Sequence, residues 1–99
     1  MNAEIKWNKQ AVKQLQSAIK YINQDSPANA DKVKKDILDK IESLKKYPEK
    51  FSPDKYKLQN QDFSFRAFEI HHYRISYRFV NNEIRILRIR HTKMNPKYY

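Results

Sequence analysis

The chain contains no cysteine and no glycine among its 99 residues, and no arginine in its first 65 positions. Without cysteine, disulfides and thiolate metal sites are excluded, and a reducing cytoplasm is the natural setting. Without glycine, tight turns fall to Asn, Asp and Pro. No apolar run approaches the ~18 residues of a membrane span, and the opening MNAEIKWNKQ lacks the apolar stretch of a secretory signal, so the expectation is a cytoplasmic protein without membrane association. Acid is scarce too, with 11 Asp+Glu against 21 Lys+Arg and a formal net charge of +10. The mean hydropathy of -1.00 describes a charged surface, while 39% hydrophobic residues suffice for one modest core. Residues 1–99 therefore form a single domain.

The excess of positive charge calls for an anionic partner. Lysine is spread along the chain, but all six arginines lie between Arg66 and Arg90. From Phe63 onward six Arg and two Lys face only Glu69 and Glu83. Such segregation suits a working face, because the planar guanidinium fork matches phosphate and carboxylate.

Hydrophobic periodicity divides the chain. Ala3, Ile5 and Trp7 alternate with Glu4 and Lys6, as in a half-buried strand. Asn8 is placed to cap a helix carrying Ala11, Val12, Leu15, Ala18, Ile19 and Ile22 at helical spacing. Residues 23–27 break it, and Ser26 with Pro27 restarts a second helix along Ala30, Val33, Ile37, Leu38, Ile41 and Leu44, ended by Pro48. The segment 48–62 is loop-like, with one short extended piece around Tyr56 to Leu58. Strands are then predicted at 63–70, 73–80 and 83–91, the last two joined by an Asn81-Asn82 turn with positive φ at both residues. The result is an α+β fold: an N-terminal strand, a helical hairpin and a three-stranded antiparallel sheet, with both helices on one face.

An unbulged hairpin would set Val80 against Glu83. Phe79, Ile84, Tyr77, Ile86 and Ile75 would then pack under the helices, with Arg88, Tyr73 and Arg90 continuing their row. The opposite face would carry Arg78 across from Arg85, Ser76 from Leu87, Arg74 from Ile89 and His72 from His91. A bulge would exchange the faces beyond it. Opposed arginines repel unless an anion lies between them, so the uncovered face is the candidate binding surface.

The helix pair broken at SPANA and the closing FRAFEIHHYRISYRFVNNEIRILRIRHTKMNPKYY resemble the RelE/ParE superfamily of toxins from type II toxin-antitoxin (plasmid stabilisation) modules. Arg66, Tyr73-Arg74-Ile75, the strand Ile84 to Ile89, His91, Lys93, Pro96 and Tyr98 carry the likeness. The resemblance implies a growth inhibitor neutralised by a cognate antitoxin, with no cofactor or metal. On the ParE-like reading, favoured by HTKMNPKYY, the target is DNA gyrase. Its contact would use Arg66, Arg74, Arg78, Arg85, Arg90, Lys93, Tyr98 and Tyr99. On the RelE-like reading the protein is a ribosome-dependent, metal-independent mRNA endoribonuclease. Arg74 would then clamp phosphate, His91 or Tyr98 move protons, and Lys93 supply charge. Arg66 is the only cation of the strand FRAF, where ribonuclease members are lysine-rich. A third reading is a non-toxic basic module binding RNA or DNA. The antitoxin is expected to be acidic and amphipathic, to meet the basic open face. A zinc site from His71, His72 and His91 would lack any carboxylate or thiolate ligand, and Lys55 and Lys57 read as a solvated loop.

Overall fold

The computed structural model describes residues 2–99. The elements run β1 (Glu4–Trp7), α1 (Lys9–Asp25), α2 (Pro27–Ser43), β2 (Phe65–Ile70), β3 (Tyr73–Val80) and β4 (Glu83–His91). No helix is long and apolar enough to cross a membrane among the described residues. The sheet order is β1-β4-β3-β2. The three late strands are antiparallel, and β1 adds a fourth, parallel to β4, with Ile5 beside Ile84 and Trp7 beside Ile86. The helical hairpin carries the chain from β1 to β2 at the far edge, and the two late hairpins bring β4 back beside β1, which leaves the two strands parallel.

Both helices begin where the sequence signals them. Ser26 Oγ accepts a hydrogen bond from the Asn29 N–H at 3.1 Å, with Pro27 at the first helical position. Asn8 occupies the cap position of α1, yet its side chain makes no capping bond. Its Oδ1 accepts from Arg85 Nη1 instead, at 3.3 Å. Ala11, Leu15 and Ala18 of α1 and Val33, Ile37 and Ile41 of α2 pack on Phe68, Tyr73, Ile75, Tyr77, Ile84, Ile86 and Ile89. Each large aliphatic side chain fully withdrawn from water there contributes about 1.5–3 kcal/mol.

The β3–β4 register corrects the unbulged expectation. Val80 does face Glu83, and Tyr77 faces Ile86, but Ser76 then faces Arg88, which leaves Leu87 as an extra residue. This bulge reverses the alternation of β4 beyond it. Ile89 turns under the helices and is 4% exposed, and His91 joins Tyr73 on that side. Arg88 and Arg90 turn to the opposite face, against Ser76 and Arg74. Strict alternation would have placed two guanidinium groups in the core and an isoleucine outside it.

Both late hairpins turn in two residues of positive φ without glycine: His71 (51°) with His72 (67°), and Asn81 (53°) with Asn82 (58°). Asn tolerates the left-handed region through local hydrogen bonding, whereas His gains less from it. His72→Gly should accordingly raise stability by about 1 kcal/mol in urea unfolding. His71 is not merely solvated, since its Nε2 lies 2.6 Å from Asp36 Oδ2 and ties the turn to α2.

β2 starts two residues later than periodicity implies, because Phe63 itself adopts φ 56°. Asn60 then takes the place of a strand partner, accepting from Phe65 N–H at 3.0 Å and donating to its carbonyl at 2.7 Å. The piece around Tyr56 to Leu58 is not a strand of the sheet. The Tyr56 carbonyl and the Leu58 N–H bond instead to the backbone of Tyr99.

Candidate functional site

Five arginines share the face of the sheet away from the helices: Arg78 opposite Arg85, Arg88 opposite Ser76, and Arg74 opposite Arg90. The protein answers much of their mutual repulsion itself. Arg74 forks onto Asp54 Oδ1 at 2.8 Å and Glu69 Oε2 at 2.9 Å. Arg85 donates twice to Glu83 Oε1, at 2.9 and 3.2 Å. Arg78 lies 4.6 Å over the Phe65 ring and donates to Ser64 Oγ at 3.0 Å. Arg88 is 9% exposed, stacks at 3.9 Å on Tyr99 and donates to the Lys97 carbonyl at 2.6 Å. The expectation of an open guanidinium face is thus corrected: Arg74 and Arg85 are paired, and Arg88 is covered.

The cover is the final segment, and Asp54 is its anchor. The Asp54 carboxylate has no exposed surface and accepts from Arg74 Nη2, from the Tyr99 hydroxyl at 2.7 Å and from the Tyr56 N–H at 3.1 Å. Burial pushes its pKa up, but these hydrogen bonds outweigh burial and hold it below the ordinary carboxylate value. Burial and the Asp54 oxygen both raise the Tyr99 hydroxyl. Tyr99 pairs by backbone with the loop, donating to Tyr56 O at 3.0 Å and accepting from Leu58 N at 2.7 Å. Its ring meets Phe65 edge-on, and Lys57 Nζ lies 5.1 Å above it. Lys57 therefore belongs to this cluster and not to a solvated loop, and Tyr99 is a fastener of the fold more than a free contact residue.

Arg66 is on the other side of the sheet. It donates to the Phe51 carbonyl at 2.6 Å and reaches Glu49, pinning the long loop beside the Tyr77 hydroxyl, which donates to Pro48 O at 2.8 Å. Burial pushes the Tyr77 pKa up to about 12. With its guanidinium so engaged, Arg66 drops out of the contact face.

The four residues of the nuclease reading are only partly brought together: Arg74 and His91 border one small cavity with Arg88, Arg90 and Pro96, and neither Lys93 nor Tyr98 lines it. Arg74 stands on the arginine face under the final segment, and Tyr98, 60% exposed, is edge-on to Tyr56 nearby. The His91 ring packs against Tyr73 at 5.0 Å, with its Nδ1 accepting from Lys93 N–H at 3.0 Å. Among the described residues no three His, Asp or Glu side chains are grouped as metal ligands.

Helix α1 separates two grooves. One, of about 640 Å³, is largely apolar: Trp7, Val12, Leu15 and Ile19 line it, and Lys20 and Lys34 stand at its rim. The other, of about 930 Å³, runs between α1 and the end of β4, where Lys9, Lys13, Tyr21, Arg90, His91 and Lys93 meet. Periodicity alone could not reveal the second groove, since Lys9 and Lys13 read as an ordinary solvated helix face. Asp54 was equally silent, being a single acid in the turn-forming stretch SPDKY.

A family model described as the ParE toxin of the type II toxin-antitoxin system, parDE, matches residues 5–96. Among solved structures, the chromosomal ParDE toxin-antitoxin system of P. aeruginosa superposes with a TM-score of 0.74 at 21% identity, over 92% of this chain and 97% of that one. The RelBE2 toxin-antitoxin complex of Mycobacterium tuberculosis aligns with a TM-score of 0.56 at 16% identity, over 92% and 99% of the respective chains. At these identities the likeness is one of fold. No curated protein matches the sequence.

Proposed function

The chain belongs to the ParE toxin family of type II toxin-antitoxin systems, and on that premise we propose that it arrests growth by binding DNA gyrase and not by cutting mRNA. One observation carries the choice: the Arg74 guanidinium, which would have to clamp the phosphate, is committed to two carboxylates, Asp54 and Glu69. Cleavage at a phosphodiester requires base, acid and a free cation within hydrogen-bond reach of the same few atoms. Binding makes no such demand, and Arg78, Arg90, Lys93 and Tyr98 remain as side chains without an ion pair among the described residues.

The purified chain should block supercoiling by gyrase while leaving ribosome-bound mRNA uncut in a toeprint. Arg78→Glu should raise the half-inhibitory concentration about tenfold, equivalent to about 1.4 kcal/mol of lost contact. His91→Ala should leave inhibition unchanged. Cleavage of mRNA that drops about 100-fold in His91→Ala, the loss typical for a general base, would reverse the assignment.

Neutralisation by a cognate antitoxin follows the same premise. The apolar groove along α1, with lysines at its rim, suits one amphipathic acidic helix better than the covered arginine face does. Trp7 is the only tryptophan and lines that groove. Its fluorescence should shift to the blue when the antitoxin's acidic segment is added, and an unchanged spectrum would place the contact elsewhere.

A further inference from the structure

We propose that the second groove, between α1 and the end of β4, binds a segment of single-stranded nucleic acid. Three lysines converge on it: Lys9 and Lys13, one turn apart on α1, and Lys93 just beyond the end of β4. None of the three forms an ion pair among the described residues, and no acidic side chain lines the groove. This contrasts with Arg74 and Arg85, which the protein neutralises with its own carboxylates. The start of α1 adds the positive end of a 17-residue helix at Lys9. An anionic chain placed there would release counterions from groups that have no internal partner.

The surface offered between the cations decides which anion fits. The floor is Ala18, Tyr73 and Ile89, each under 9% exposed, and the exposed apolar surface is the Tyr21 ring, at 65%, together with Met94. Gln10, Gln14, Ser17 and His91 complete the lining. Aromatic rings set among cations are the elements that stack unpaired bases while holding their phosphates. A duplex, whose bases are already stacked, could use only the charges. The groove on the other flank of α1 is lined instead by Trp7 and the aliphatic side chains Val12, Leu15 and Ile19, with lysines at its rim.

The inference is independent of the gyrase reading, because naked nucleic acid is the probe. In fluorescence anisotropy with a labelled oligothymidylate, the free chain should bind with a slope of log affinity against log salt of about -2, as three phosphate contacts on a single strand imply. Lys9→Gln with Lys13→Gln should weaken binding about tenfold and reduce the slope to about -0.7. Tyr21→Ala should cost about fivefold, the lower end for loss of one stacking ring. Lys32→Gln with Lys46→Gln removes the same charge elsewhere and should change affinity less than about twofold, with the slope unchanged. Equal losses from both lysine pairs would reduce the effect to net charge and overturn the proposal. So would wild-type affinity in the Lys9/Lys13 double variant, or displacement of the oligonucleotide by oligoglutamate at equal charge concentration, which would assign the groove to an acidic peptide.

Discussion

An Asp54→Ala chain should be less stable than the wild type by about 3–5 kcal/mol in urea unfolding, the loss expected when one partner of a buried ion pair is removed. Arg74 would keep its fork with only Glu69, whose side chain is half exposed, and the Tyr99 hydroxyl and Tyr56 N–H would lose their acceptor. Few domains of this length hold much more than ~10 kcal/mol in reserve. Asp54→Asn should fall between, because an amide oxygen still accepts from Tyr99 without neutralising Arg74. The same carboxylate predicts acid sensitivity. Its pKa is lowered on folding, so its contribution is fully present above the ordinary value of 3.8 and disappears as pH drops through the lower folded value. Melting temperature recorded from neutral to acid pH should show that fall in the wild type and a shallower one in Asp54→Asn. A wild-type midpoint for Asp54→Ala would mean that the final segment is not anchored there.

The bulge at Leu87 makes the second large prediction. Ile89→Lys should cost more than about 4 kcal/mol and leave little folded protein, since the new ammonium would be buried beneath α1 with no carboxylate beside it. Leu87→Lys, on the half-buried extra residue, should cost about 1 kcal/mol or less. Without the bulge the difference would vanish, because Leu87 and Ile89 would then share the open face. Removing Leu87 altogether restores plain alternation while every other residue keeps its present side, so circular dichroism of that deletion should still show a folded chain.

The bulge also explains how far this protein could be read from its residues. Element order, the Ser26-Pro27 helix start, the limits of β3 and β4 and the double positive-φ turn at Asn81-Asn82 follow from local chemistry: spacing, caps and backbone preference act over a few residues. The motif-bearing end of the chain likewise identified the superfamily, since Arg66, Tyr73-Arg74-Ile75, His91, Pro96 and Tyr98 are neighbours in sequence. The composition of the candidate site was visible, but its arrangement was not.

What local chemistry could not determine is which face each late residue occupies and what covers it. A single extra residue moves Arg88, Ile89, Arg90 and His91 to new sides, and alternating Ile and Arg satisfies either register equally well until the helices claim one of them. Asp54 lies 20 positions from Arg74 and 45 from Tyr99, so no pattern links them before the chain has folded. Charge and hydrophobic spacing are properties of the string and determined the fold class. Pairing between distant charges depends on distance in space, and for that reason only the tertiary structure decided which arginines are answered within the molecule and which cations are left for something else.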